Sequence, residues 1–169
     1  NYSDATKYFQ NGKIKEAKEI CIDILNTEPN NFNALYLLGV IEFQTKNYLK
    51  SDELISKAIE INSINSEFYN FRGIVLVHLN KFEEAIQSWS KAIEIDPNSM
   101  DAYNNRGNAL IKLKKNDLAL KDFDRAIKIK PNFAQAYNNR GVILKDLNKL
   151  DLALESTNKA IEINPKYAD

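Results

Sequence analysis

The sequence predicts an all-α chain, a solenoid of stacked antiparallel helix hairpins, and three observations predict it. Pro29, Ser63, Pro97, Pro131 and Pro165 recur every 34 residues and cut the 169-residue chain into equal lengths. The segments between them repeat by residue type, so that DAYNNRGNALIKLKKNDLALKDFDRAIKIKP (Asp101 to Pro131) lies over QAYNNRGVILKDLNKLDLALESTNKAIEINP (Gln135 to Pro165). Within a segment the apolar positions fall three and four apart, as in Tyr103, Gly107, Leu110 and Leu113 and then Leu118, Ala119, Phe123, Ala126 and Ile127. That spacing describes two amphipathic helices joined by a short turn.

The units follow in order at about 1–31, 32–65, 66–99, 100–133 and 134–167, read as one elongated domain. The first keeps the frame loosely, with Ala17 and Pro29 in register. In the other four, Gly39, Gly73, Gly107 and Gly141 sit inside the first helix, where glycine costs about 1 kcal/mol against alanine. Their recurrence therefore predicts a close helix approach that no Cβ would permit. Ala58, Ala92, Ala126 and Ala160 do the same on the second helix. One slot, filled by Cys21, Ile55, Trp89, Phe123 and Thr157, takes large groups more often than not and is read as the plug of the space between hairpins. Each junction proline lacks an N–H and blocks continuation of the helix before it, which ends the unit.

A 34-residue period with a glycine, two alanines and a closing proline at fixed offsets resembles the tetratricopeptide repeat family over nearly the whole chain. The resemblance implies a right-handed superhelix of about five units, whose first helices line a concave groove for an extended peptide or a partner's helix. Carried onto this sequence, the groove positions are Tyr36, Leu37, Val40 and Phe43, then Asn70, Phe71, Ile74 and Val77. Asn104, Asn105, Asn108 and Ile111 follow, and then Gln135, Asn138, Asn139, Val142 and Lys145. The lining passes from aromatic and aliphatic to a row of amides. An asparagine offers both a donor and an acceptor, so a row at repeat spacing can bond a peptide backbone without reading its side chains. The row is similar to the asparagine ladder of the O-linked N-acetylglucosamine transferase family, in which Asn105 and Asn139 take the matching repeat position. The basic clamp by which related domains grip a C-terminal carboxylate is missing, since Asn33, Tyr36, Glu67, Asn70, Asp101 and Asn104 stand there.

Only four of the 23 basic residues are arginines, yet Arg72, Arg106 and Arg140 share one repeat position. Sixteen residues on lie Ser88, Asp122 and Ser156, whereas the unit with Leu38 in the arginine slot has Leu54 in the partner slot. The expectation is structural: Arg106 pairs with Asp122, and Arg72 and Arg140 donate to Ser88, Ser156 or nearby carbonyls, because a planar fork with five donors suits a half-buried site.

Catalytic and cofactor chemistry is not expected. The chain has one His, one Cys, no CxxC, no HExxH and no glycine-rich phosphate loop, so the ligands for a metal or phosphate site are missing. His78 reads as a surface residue, and Glu83, Glu84, Asp122 and Asp124 as charges on solvated helix faces. Twenty-three basic residues balance 23 acidic ones, which argues against nucleic acid as a partner, and no apolar run approaches a membrane span. Cys21 in a core slot is read as a buried inert thiol, and a cytoplasmic location is the expectation. The absence of an initial Met and the ending Lys166-Tyr167-Ala168-Asp169, which opens like another unit, suggest a piece of a longer array. The function expected is therefore a non-enzymatic protein-interaction module. Two alternatives stand beside it: self-assembly through an uncapped last helix, Leu150 to Ile163, that would expose Leu152, Ile161 and Thr157, and a substrate-recruiting arm of an enzyme lying outside the chain.

Overall fold

The computed structural model describes residues 1–167. Among them are ten α-helices: α1 (Tyr2–Gln10), α2 (Ile14–Thr27), α3 (Phe32–Gln44), α4 (Tyr48–Ile61), α5 (Ser66–His78), α6 (Phe82–Ile95), α7 (Met100–Lys112), α8 (Asn116–Ile129), α9 (Ala134–Asp146) and α10 (Leu150–Ile163). A single 3₁₀ turn at Pro165–Tyr167 follows, and the described residues form no strand. The chain divides into two compact units, Asn1–Lys81 with α1 to α5, and the residues from Phe82 onward with α6 to α10. In the first, α1 packs on α2 and α3 on α4, with α2 against α3 and α4 against α5. In the second, α7 packs on α8 and α9 on α10, with α6 against α7 and α8 against α9.

The turn inside each repeat is set by one residue in the left-handed region: Gly12, Lys46, Asn80, Lys114 and Asn148, with φ of 74°, 64°, 58°, 57° and 58°. In every turn this residue's amide donates to a carbonyl three residues back, and the next amide to one five back. Lys114 N reaches Ile111 O at 2.9 Å and Lys115 N reaches Leu110 O at 2.9 Å. This pair of bonds satisfies carbonyls that a helix end leaves orphaned. Glycine adopts the conformation freely, whereas a side chain there costs about 1–2 kcal/mol.

Second helices stop two residues before each junction. Glu28, Lys130 and Asn164 take φ of −129°, −130° and −141°, the extended backbone that a following proline imposes. Asn62 has φ −130° before Ser63, so the junction keeps its shape where the proline is lost. Asn1, Asn31 and Asn65 then cap α1, α3 and α5 by accepting from backbone amides at 3.0–3.1 Å.

The helical glycines are close-approach sites. A Cβ on Gly107 would lie 2.7 Å from the Phe123 ring, one on Gly39 2.7 Å from Ile55, and one on Gly141 2.7 Å from Thr157 Oγ1. Each glycine thus faces the plug of its own hairpin, which corrects the expected place of that slot: the side chain fills the gap that the glycine opens within a hairpin. The first repeat has Ala5 where the others have glycine, and the opposing plug is the smaller Cys21; both are fully buried in one cluster. Burial pushes the Cys21 thiol up from an ordinary 9.0 to about 11.

Candidate functional site

In the first unit, the groove positions on α3 and α5 form a connected set of rings. Tyr36 stacks on Phe68 at 4.7 Å and meets Phe71 edge-on at 5.9 Å. Phe43 meets Phe71 at 5.3 Å and His78 at 4.9 Å, and His78 stacks on Tyr48 at 4.8 Å. The Tyr36 hydroxyl donates to Glu67 Oε1 at 3.1 Å. Burial first, and then the Glu67 charge, raise its pKa, so the phenol stays neutral. Tyr36, Val40, Phe43, Asn70, Phe71, Ile74 and Val77 are half-buried. Leu37 is a correction to the expected groove: it is only 6 % exposed and belongs to the core cluster with Leu38 and Ile41. It sits next to Leu38 on the side of α3 that the neighbouring helices cover.

In the second unit, α7 packs against α9 and their amides meet. Asn139 Nδ2 donates to Asn104 Oδ1 at 3.0 Å across 35 residues of sequence. Asn104 is a second correction, because it is 1 % exposed and closed off from a ligand. Asn105, Asn108, Asn138 and Asn139 are half-buried, while Gln135 and Val142 are exposed.

The arginines lie between helices of successive repeats. Arg106 on α7 grips Asp122 on α8 with both arms of its fork, Nε to Oδ2 at 2.8 Å and Nη2 to Oδ1 at 2.7 Å, and reaches back to Ser90 Oγ on α6 at 2.9 Å. The bond to Asp122 raises the guanidinium's pKa. Arg140 on α9 donates to Ser156 on α10 at 2.6 Å and to Asp124 on α8 at 2.7 Å. Arg72 on α5 donates to Asp52 on α4 at 2.8 Å. The acceptors Asp52, Ser90 and Asp124 stand on the preceding helices, outside the expected partners sixteen residues ahead, and Asp124 is thereby paired where a merely solvated charge was expected. Their signal was a carboxylate or hydroxyl sixteen to twenty residues before each arginine.

A polar pair also stands in an apolar slot. Glu42 on α3 occupies the position of Leu76, Leu110 and Leu144, is 7 % exposed, and accepts from Lys18 Nζ at 2.7 Å and Asn47 Nδ2 at 3.1 Å. On α10, Leu150, Leu152 and Leu154 are exposed, whereas Ile161 and Thr157 are half-buried. Among the described residues no group of three or more His, Cys, Asp or Glu could hold a metal ion, and no helix is long and apolar enough to cross a membrane.

Family models for the tetratricopeptide repeat match residues 32–65, 101–133 and 134–167, and a model described as TPR repeat matches 73–114. The chain belongs to the tetratricopeptide repeat family. Among curated proteins it is similar to the UDP-N-acetylglucosamine--peptide N-acetylglucosaminyltransferase of Caenorhabditis elegans, 35 % identical over 81 residues. That stretch is 48 % of this chain and 7 % of the relative, so the chain spans a small part of that enzyme's length. Among solved structures it is similar to MamA, with a TM-score of 0.89 at 24 % identity over 97 % of this chain and 96 % of the other, a likeness of fold. YrrB, described as a TPR protein with an unusual peptide-binding site, superposes with a TM-score of 0.81 at 25 % identity over 95 % of this chain and 83 % of its own. The all-α helical-repeat class expected from the 34-residue period is the class this tetratricopeptide chain has, and proteins of this family are interaction modules.

Proposed function

We propose that this tetratricopeptide chain is a non-catalytic receptor that holds an extended peptide or a partner's helix against its first helices. The observation that carries the reading is the hydrogen bond that the Asn139 side chain donates to Asn104. It brings the first helices of two repeats into register, and the half-buried Asn105, Asn108, Asn138 and Asn139 on those helices are the amides that we assign to the polar groups of a peptide backbone. Within the first unit, taken by itself, the half-buried rings of Tyr36, Phe43 and Phe71 offer an apolar surface for side chains. The likeness to a protein described as peptide-binding supports the same reading.

The test is a peptide-display selection on the parent and on a variant with Asn105, Asn108, Asn138 and Asn139 changed to Ala and shown to be helical. Peptides enriched by the parent and lost by the variant support the amide surface; equal enrichment by both overturns it. The exposed leucines of α10 favour a second reading, a scaffold that associates with further copies of itself. Light scattering that gives a monomer mass at all concentrations removes it.

A further inference from the structure

The repeats act as internal controls for one another, and one of them departs in charge. Residues 100–133 hold eight basic side chains against four acidic ones in a chain whose total charge is zero. The excess lies along α8, at three slots that form one helix face because they are spaced by four and three residues. In α4 those slots hold Glu53, Lys57 and Glu60, in α6 Gln87, Lys91 and Glu94, and in α10 Glu155, Lys159 and Glu162. In α8 they hold Lys121, Arg125 and Lys128. The other helices use the pattern for local ion pairs, Lys57 with Glu53 at 3.2 Å, Lys91 with Glu94 at 2.9 Å and Lys159 with Glu162 at 2.9 Å. On α8 no carboxylate lies within ion-pair distance of the three cations among the described residues. Asp122 and Asp124 of the same helix are spent on Arg106 and Arg140. Like charges one turn apart destabilise a helix; Lys128 in the last turn and Arg125 over the Tyr103 ring offset this in part, whereas Lys121 has no such return.

An apolar feature adjoins this face. Leu118, one turn before Lys121, is 48 % exposed. With Ile86, Ser90, Leu110 and Lys121 it lines a cleft among α6, α7 and α8 whose remaining wall is the Arg106–Asp122 pair. Lys121 and Lys128 are exposed and Arg125 is half-buried beside the Tyr103 ring.

We infer that the outer face of α8 is a docking site for an acidic peptide segment carrying a large apolar side chain, which enters the cleft at Leu118 while its carboxylates meet Lys121, Arg125 and Lys128. Charge complementarity selects the partner. Three cations on one helix are a short footprint matched to a peptide, and the part of the cleft formed by Leu118, Ile86 and Leu110 suits an aliphatic side chain. This site is separate from the amide surface of α7 and α9.

The probe is a fluorescein-labelled peptide of glutamate pairs separated by single leucines, titrated by anisotropy at low and high ionic strength. The parent binds it, binds a serine-for-leucine version more weakly, and loses affinity as salt rises. Lys121→Glu with Lys128→Glu gives α8 the charge pattern of α4 and α10, so the double variant melts no lower than the parent. It binds the peptide at least about tenfold more weakly. Leu118→Ser weakens the leucine peptide and leaves the serine peptide unchanged, and the four-asparagine variant leaves both unchanged. Equal binding by the parent and the double variant, or no binding by the parent, overturns the inference. A single-stranded oligonucleotide that binds the parent more tightly than the peptide overturns it in favour of nucleic acid.

Discussion

In the first unit Lys18 on α2 meets Glu42 on α3 at 2.7 Å; in the second, the same two repeat slots hold Ile86 on α6 and Leu110 on α7, which pack together in the core. The arginine slot runs the opposite way. Arg106 grips Asp122 in the second unit, while the first has the buried Leu38 and Leu54 in the equivalent places. The 34-residue frame therefore fixes which positions face each other and leaves the chemistry of the facing pair open, provided that each polar member keeps a partner: Arg140 has Ser156 where Arg106 has Asp122. Each pair is a tested solution for its slot, and transplanting one into another repeat measures how far the frame is independent of its contents.

The largest effect is expected at the arginine slot. Arg106→Leu alone leaves the buried Asp122 without its cation and costs about 3 kcal/mol, measured by urea unfolding. Arg106→Leu with Asp122→Leu copies Leu38 and Leu54 and restores most of that loss; a double variant no better than the single breaks the comparison. Next is the glycine and its plug. Gly107→Ala drives a Cβ into the Phe123 ring and costs about 2 kcal/mol. Adding Phe123→Cys copies Ala5 and Cys21, so the pair costs less than the sum of the two single changes in a double-mutant cycle.

At the polar slot, Lys18→Met strands Glu42. Because the Lys18 side chain is 41 % exposed, the expected loss is only about 1–2 kcal/mol. Lys18→Ile with Glu42→Leu copies Ile86 and Leu110 and returns stability to the parent level or above it. A smaller gain of about 1 kcal/mol is expected from Lys114→Gly, which gives the α7–α8 turn the residue used at Gly12. The last effect appears only at alkaline pH. The Cys21 pKa is raised in the folded chain, so its contribution is complete below the ordinary thiol pKa. As pH climbs from 9.0 to about 11, the unfolded chain ionises first and stability falls. Cys21→Ala removes that part of the slope in melting temperature against pH.

The hairpins were legible because a helix face repeats every turn and a repeat protein repeats the face; Gly107 and Phe123 announce their contact by being rare at their places and present in register. The burial of Leu37 and Asn104 was not. Both lie on the first helix beside groove positions, and a shift of one residue, about 100° around the helix, decides between groove and core. Asp52 and Asp124 were missed for a different reason: a partner in the preceding repeat leaves no mark in the arginine's own repeat. The left-handed turns were hidden behind lysine at Lys46 and Lys114, where side-chain identity argues against the conformation that the two turn hydrogen bonds impose.

The contact between Gly107 and Phe123 also sets an order in time. An alanine enters such a glycine position at least cost after the opposing plug has shrunk, because the reverse order passes through an intermediate in which two atoms 2.7 Å apart must be forced aside. A plug that shrinks first leaves a void, which is the milder of the two defects when the loss is as small as isoleucine to valine. Drift in each repeat is thereby directional. The pair Ala5 and Cys21 has the form that both steps would give, whereas at Gly141 even the smaller Thr157 stands 2.7 Å from an added Cβ, so that glycine is still held in place.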